Sequence, residues 1–171
     1  MPFTPFHMGP GLLVKALLQG CFSVMVFGWA QIVMDIQPLI VLLTGQGHLH
    51  GFTHTYIGAT LIAIFSALSG KYLGEFGLKL LSIPAINSHI TWRVALISAF
   101  AGSLSHVLLD SIMHHDVQPF FPFSESNRFL GLISVATLHK LCIYSGLIGA
   151  IAFYIIQHTL NRRSAEKGLD E

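Results

Sequence analysis

Hydrophobic residues in this chain are gathered into long runs instead of alternating with polar ones. Three runs are long enough to cross the roughly 30 Å hydrocarbon core of a bilayer as helices, and they cover residues 56–72, 93–113 and 129–157. The first is rich in small residues, which let helices approach closely in lipid. The pattern therefore predicts an all-α fold, a polytopic membrane helical bundle with about three full spans.

The first third of the chain allows two interpretations. In one, residues 11–34 form a single spanning helix. In the other, helices over 11–18 and 22–35 fold back on each other at Gly20. A helix of about a dozen residues rises only roughly 18 Å, so the second version is a re-entrant hairpin. The apolar run 36–44 that follows is too short to span alone.

The remaining polar stretches predict loops and a tail. Residues 74–91 are interpreted as a loop with a short interfacial helix, and residues 114–128 as a second loop. We expect one membrane-embedded domain over residues 1–160 and a short polar C-terminal tail over 161–171.

Composition agrees with a membrane protein. Of 171 residues, 53% are hydrophobic and only 10% are charged, whereas a soluble domain carries about 25% charged residues. The net charge of +1 offers no basic face to nucleic acid, so the expected partner is the lipid bilayer. Cys21 and Cys142 lie in apolar runs without metal or redox spacing, and nothing in the sequence predicts an oligomeric state.

Basic residues predict the orientation. They flank the 74–91 loop or follow the last span: Lys71, Lys79, Arg93, Arg162, Arg163 and Lys167. By the positive-inside rule these regions, and with them the C-terminus, are cytoplasmic in a bacterial inner membrane. The histidine-bearing loops, 48–54 and 114–128, then lie on the periplasmic side.

Ten histidines against eight carboxylates are unusual in such a chain, because ionisable side chains in a span are costly and mark functional sites. The strongest pair is His106 and Asp110, whose spacing of four places both on one helical face. An imidazole and a carboxylate so placed either hold a divalent cation together or hydrogen-bond to each other.

A second group of histidines precedes the apolar run that starts at Tyr56. His50 and His54 share a face if a helix begins near Leu49, and His48 is the least promising of the three. Neutral imidazole suits zinc and its neighbours. The alternative is a solvated loop in which histidines have no role.

Four further residues are weaker candidates. Asp35 ends an apolar run and either binds metal or caps the next helix. His114 and His115 come one further turn along from Asp110, so that at least one continues its face. His139 lies inside the last apolar run, as a ligand or as a hydrogen-bonded core histidine.

Taken in order, these motifs resemble the bacterial membrane-bound metal-dependent hydrolases, over roughly residues 7–123. The matching pieces are His7, Asp35, the segment His50-Gly51-Phe52-Thr53-His54, the segment from Gly102 through Ser105-His106 to Asp110, and Pro122-Phe123. That family is in turn similar to the zinc-dependent phospholipase C and single-strand nuclease superfamily, all-helical enzymes with up to three zinc ions that cleave phosphate esters.

The resemblance implies a membrane-embedded metal-dependent hydrolase with one to three divalent ions, Zn²⁺ above all. It would act through metal-activated water on phosphate esters of lipid or lipid-linked substrates, with Asp110 and Asp35 as catalytic residues. It also favours the hairpin, because His7 must reach the same membrane face as Asp35.

The ligand sets implied by the resemblance are Asp35, His54, His106 and Asp110 for one ion, His7 with a shared Asp110 for a second, and His114 or His115 with His139 for a third. His50 remains an alternative to His54. The third set is in doubt, because Ile143 stands where the superfamily has a carboxylate.

Two rival functions remain open at this point. One is a non-catalytic metal-binding or metal-transport membrane protein, and the other is a membrane scaffold that retains a vestigial site. Ligands spread over several membrane depths would favour transport, whereas ligands gathered at one face favour hydrolysis.

Overall fold

The structure is a computed structural model that describes residues 5–82 and 89–167, and in those ranges the regular elements are helices. In chain order they are α1 (Met8–Leu18), α2 (Val24–Met34), α3 (Ile36–Thr44), α4 (Tyr56–Leu80), α5 (Trp92–Met113) and α6 (Val135–Lys167). The predicted all-α membrane bundle is confirmed.

The N-terminal hairpin is also present. A 3-10 turn over Gln19–Cys21 joins α1 to α2 and reverses the chain. The Lys15 ammonium donates to the carbonyl oxygens of Gln19 and Phe22 at 2.7 and 2.8 Å. It thereby holds together the turn between α1 and α2. The turn brings the start of α1 and the end of α2 to the same end of the bundle.

Within residues 5–82 and 89–167, four helical segments are long and apolar enough to cross a membrane, one more than the three full spans expected: Val24–Thr44, Tyr56–Leu80, Trp92–Met113 and Val135–Arg162. The additional one arises because α2 and α3 meet at Asp35 with no loop between them. Pro38 does not separate them, since it occupies the first turn of α3, where a missing N–H costs no intrahelical bond.

Two helix boundaries differ from expectation. The α4 helix continues to Leu80 instead of ending before a loop at 74, because its late glycines serve packing. A Cβ at Gly74 would lie 2.9 Å from Ile90 Cδ1, and one at Gly77 would lie 2.7 Å from Met25 Cε. The part of the predicted interfacial helix within residues 83–88 lies outside the described residues.

The last helix is likewise shifted toward the C-terminus. It begins at Val135 instead of 129, after a segment that forms turns, and it runs through Lys167. The described residues from 161 onward therefore continue the helix.

Small residues allow the helices to approach closely. A Cβ at Gly9 of α1 would lie 1.9 Å from the Cys142 carbonyl oxygen of α6, and one at Gly149 would lie 2.4 Å from the Leu13 nitrogen. Gly102 likewise allows α5 to pack closely against α2. These seams fix α1 against α6 and α2 against α5, the helices on which the site is built.

The two ends of the bundle differ in their polar residues. At the end where α4 finishes and α5 begins, Lys71 donates to Glu75 at 2.6 Å and lies over the Trp92 ring. Glu75 also accepts from the Ile90 backbone nitrogen at 2.9 Å, which ties the connection to α4. The histidines and aspartates of the candidate site lie at the other end.

Candidate metal centre

Separate segments of the chain deliver five buried ionisable side chains to one place. His7 precedes α1, Asp35 joins α2 to α3, His54 precedes α4, and His106 and Asp110 occupy the last turns of α5. None of them is more than 6% exposed. All five were predicted, and the structure brings them together.

Asp110 lies at the centre of this group. Its Oδ2 is 3.2 Å from His106 Nε2 and 3.3 Å from His54 Nε2. Its Oδ1 is 3.6 Å from His7 Nε2. Each carboxylate oxygen of Asp110 therefore faces an imidazole nitrogen. Oδ2 faces His106 and His54, and Oδ1 faces His7.

The spacing of these atoms fits a divalent ion. Two ligands about 2.1 Å from a shared tetrahedral centre are separated by about 3.4 Å. The distances around Asp110 and the 3.5 Å between Asp35 Oδ1 and His106 Nε2 have this size. The candidate ligand atoms form two overlapping groups, each within 4.8 Å: His7, His106 and Asp110, and Asp35, His54 and His106.

The hydrogen bonding of the imidazoles also supports a metal site. Both ring nitrogens of His7, and Nε2 of His54 and of His106, are buried without a hydrogen-bond partner in the described chain. Buried polar atoms are rarely left so. A nitrogen lone pair directed at a carboxylate oxygen needs a positive charge between them, and nitrogen with oxygen is a donor set that zinc accepts.

The other ring nitrogens of the two most buried histidines are occupied. His106 Nδ1 contacts the amide oxygen of Gln31, and His54 Nδ1 lies 3.0 Å from the Thr53 hydroxyl. A ligand histidine in proteins is commonly held in this way through its second nitrogen. The arrangement leaves Nε2 of both rings directed at Asp110.

His50 and His114 form the edge of the site. Their rings stack with centroids 4.4 Å apart, and with Asp110 they form a third group of candidate ligands within 4.8 Å. His50 Nε2 is 3.9 Å from Asp110 Oδ2, and its Nδ1 is 2.9 Å from Asp116 Oδ2. His50 thus connects the buried carboxylate with a partly exposed one.

The sequence-based reason for pairing His50 with His54 was wrong, although the two rings lie 4.9 Å apart. No helix begins near Leu49. Phe52–His54 forms a 3-10 turn, and α4 begins at Tyr56, where the Thr55 hydroxyl accepts from the Gly58 nitrogen as an N-cap. The turn brings the rings together.

The structure does not bring His115 or His139 into the cluster. His115 is exposed, because α5 ends at Met113 and His114 continues in an extended conformation. The His139 ring stacks on Phe6 with centroids 4.6 Å apart. Among the described residues neither belongs to a group of three candidate ligands, so the expected third set is not assembled.

Burial keeps two of the imidazoles neutral. Desolvation lowers the pKa of His7 from 6.5 to about 4, and it also lowers the pKa of His54. A neutral ring has a lone pair for a metal at pH 7. For Asp116, burial acts to raise the pKa, but the hydrogen bond with His50, the charges of His50 and His114 and a backbone hydrogen bond together outweigh it, and the pKa is lowered. Asp116 therefore stays ionised beside His50.

Sequence reasoning missed three residues around the site: Gln31, Gln37 and Asp116. A signal existed for Gln31, since a glutamine inside an apolar helix four residues before Asp35 shares its face. Gln37 follows Asp35 by two residues and reaches Thr53. Asp116 stands in a polar loop, where no pattern distinguishes it.

Comparison with known families gives one match. The sequence model of a family described as YdjM inner membrane protein matches residues 12–165. Comparisons with curated proteins and with solved structures give no match. The matched region covers most of the chain and all of the cluster except His7.

Proposed function

The chain belongs to the YdjM inner membrane protein family, and on that premise we propose that it is a membrane-embedded metal-dependent hydrolase of phosphate esters. Its four apolar helices make it an integral membrane protein. The observation that carries the proposal is the convergence of buried imidazole nitrogens without hydrogen bonds on the carboxylate of Asp110.

One divalent ion, Zn²⁺ by its donor set, would be held by the group of Asp35, His54 and His106 together with Asp110, whose Oδ2 faces both histidines. His7 stands at the other oxygen of Asp110, where it would serve a second ion. Such ions supply a bound water of lowered pKa and a positive charge for the phosphoryl oxygens. Asp110 is the residue common to both positions, which makes it the most sensitive to substitution.

The substrate would approach from the side of His50 and His114. A cavity of about 350 Å³ borders His50 and Asp116, with His48 and Gln118 as further polar lining residues. A second cavity, of about 600 Å³, borders His50, His114, His115 and Asp116 together with the apolar residues Pro38, Leu42 and Leu49. Cavities with both polar and apolar lining residues beside one site suit a lipid or lipid-linked phosphate ester.

The rival functions fit less well. Transport predicts candidate ligands at several depths of the bundle, but every group of three within residues 5–82 and 89–167 lies at one end. A vestigial site would be expected to have lost ligands or their supporting contacts. Here the third set lacks its carboxylate at Ile143, but Asp35 and Asp110 remain, and His54 and His106 are each held through Nδ1.

Metal content and phosphodiesterase activity of the purified protein test the proposal together. The protein in detergent should contain zinc by elemental analysis and should hydrolyse bis(p-nitrophenyl) phosphate, a phospholipid in mixed micelles, or both. Asp110→Ala should lose metal and activity. His158→Ala is the matched control, since His158 stacks on Tyr154 in α6 away from the cluster.

The outcomes separate the alternatives. Full metal content in Asp110→Ala would overturn the metal site. Metal bound by the wild type without hydrolysis of either substrate class would favour the non-catalytic metal-binding protein.

A further inference from the structure

We propose that Gln31 and Gln37, the two glutamines on either side of Asp35, are positioning residues that fix which ring nitrogen of His106 and of His54 faces the site. The proton positions follow from the hydrogen bonds alone. The consequence for metal binding rests on the proposed function.

The orientation of the Gln31 amide is determined by its partner in α5. Its Nε2 donates to the Gly102 carbonyl oxygen at 3.1 Å, and a carbonyl can only accept. Oε1 therefore faces His106 Nδ1, and because an amide oxygen also only accepts, the proton must be on Nδ1. When the His106 ring is neutral, its lone pair is then on Nε2, which faces Asp35 and Asp110.

Gln37 acts on His54 through Thr53. Its Oε1 accepts from both the Thr53 nitrogen, at 3.2 Å, and the Thr53 hydroxyl. The hydroxyl proton is thereby used, so the hydroxyl oxygen is left to accept from His54 Nδ1 at 3.0 Å. His54 is fixed with the same ring nitrogen protonated as His106, and its Nε2 faces Asp110.

The surroundings of both amides are shaped to hold them. Gln31 is buried at 6% exposure in an apolar helix, where an amide is costly unless its hydrogen bonds are made. A Cβ at residue 51 would lie 2.1 Å from Gln37 Nε2, so Gly51 leaves the space that the Gln37 amide occupies. This packing explains why residue 51, in the segment His-Gly-Phe-Thr-His, is a glycine.

A purely structural role makes a different prediction from a positioning role. Gln31→Met has nearly the same shape and removes both hydrogen bonds, whereas Gln31→Glu keeps an acceptor for His106 Nδ1 but loses the donor to Gly102. If Gln31 only ties α2 to α5, both variants should behave alike. If it positions His106, the Glu variant should retain the wild-type ring and the Met variant should not.

Nitrogen-15 NMR of histidine-labelled, metal-free protein in detergent reads the ring protons directly. We expect a proton on Nδ1 of both His54 and His106 in the wild type and in Gln31→Glu. Gln31→Met should alter His106 alone, and Gln37→Met should alter His54 alone. The matched control is Gln157→Met, because Gln157 pairs with Gln19 near the hairpin bend. Absence of the Nδ1 proton in the wild type, or an unchanged His106 in Gln31→Met, would overturn the inference.

Titration with Co²⁺ measures the consequence for metal binding. Gln31→Met and Gln37→Met should weaken Co²⁺ affinity by about 10- to 100-fold, while Gln31→Glu and Gln157→Met should bind as the wild type does. Equal loss in Gln31→Met and Gln31→Glu would show a structural role and overturn the inference. If the wild type bound no Co²⁺, the proposed function would fail, whereas the ring-proton measurement would still decide the inference. Should Gln31→Met not fold, Gln31→Glu and Gln37→Met suffice for both measurements.

Discussion

His7 Nε2 and Asp110 Oδ1 lie 3.6 Å apart, although one residue precedes α1 and the other is near the end of α5. The contact of His7 is with Oδ1 of this carboxylate, whereas those of His54 and His106 are with Oδ2. The N-terminal hairpin makes this possible, because it places the start of α1 beside the end of α5. The candidate site therefore has a His7 side and a His54 side.

His7→Ala should accordingly lower the metal content without abolishing it. The remaining candidate ligands would still hold one ion, since Asp35, His54 and His106 form a group within 4.8 Å and Asp110 Oδ2 lies 3.2 Å from His106 Nε2 and 3.3 Å from His54 Nε2. We expect a loss of about one ion per chain relative to the wild type, measured by elemental analysis of the purified protein. Complete loss of metal would instead show a single ion for which His7 is indispensable.

The α1–α6 seam should control the position of His7. In Gly149→Val the new side chain meets the Leu13 backbone nitrogen, which cannot move without shifting α1. Overpacking of this kind costs about 1–3 kcal/mol, and we expect a lower melting temperature together with the metal loss of His7→Ala. Gly20→Ala is the control, because a Cβ at Gly20 meets nothing within 4 Å. Unchanged metal content in a folded Gly149→Val protein would contradict this linkage.

His114 and His115 are adjacent in sequence and should differ in effect. His114 stacks on His50 and belongs to a group with Asp110, whereas His115 is exposed and outside it. We expect His114→Ala to lower kcat for phosphodiester hydrolysis by about tenfold or more, and His115→Ala, which removes a ring from the cavity lining but no candidate ligand, to lower it much less. Comparison of kcat for the two variants checks this, and the opposite ranking would exclude His114 from the site.

The members of the cluster were predictable because charge in a lipid-soluble chain is rare and costly. His106 and Asp110 were joined by helical spacing, and the requirement that His7 reach Asp35 selected the hairpin. What could not be predicted depends on tertiary contacts. Helical spacing places Gln31 on the face of Asp35, but its contact with His106 depends on how α2 packs against α5.

The predicted helix boundaries were wrong for a related reason. Gly74 looks like a helix breaker in sequence, yet in the bundle it is a packing residue against Ile90. The separation of His139 from the cluster could not be predicted either, because the spacing of His139 from His114 does not reveal the turns that precede Val135.

The depressed pKa of His7 predicts how the metal-free protein responds to acid. Its pKa is about 4 in the folded state, against an ordinary value of 6.5. Between these values the unfolded chain binds a proton that the folded chain does not, so stability falls as the pH drops from about 6.5 to about 4. His7 alone contributes on the order of 3 kcal/mol, and His54 acts in the same direction.

Thermal unfolding of metal-free protein in detergent, from about pH 7 to about pH 5, measures this loss. The melting temperature should fall across that range, and it should fall less in His7→Gln. An equal fall in both proteins would show that His7 is not the group responsible.

Membrane sidedness can be tested by cysteine labelling in a background without Cys21 and Cys142. We propose that the metal centre faces the periplasm, because Lys71, Lys79 and Arg93 lie toward the other end of the bundle. A cysteine at the exposed Ser126 should then react with an impermeant reagent in intact cells, and one at Ser82 should stay protected. The reverse pattern would place the site on the cytoplasmic side.

The break between α2 and α3 at Asp35 bears on how the protein is made. Ribosomal synthesis delivers Asp35 to the membrane long before His106 and Asp110 exist. During that interval its carboxylate lacks its eventual partners, and a charge in lipid is costly. Its place at a helix junction near one end of the bundle would keep it close to the bilayer surface during that interval. Assembly of the candidate site is therefore a late event, which requires α5 to be inserted and α1 to pack against α6.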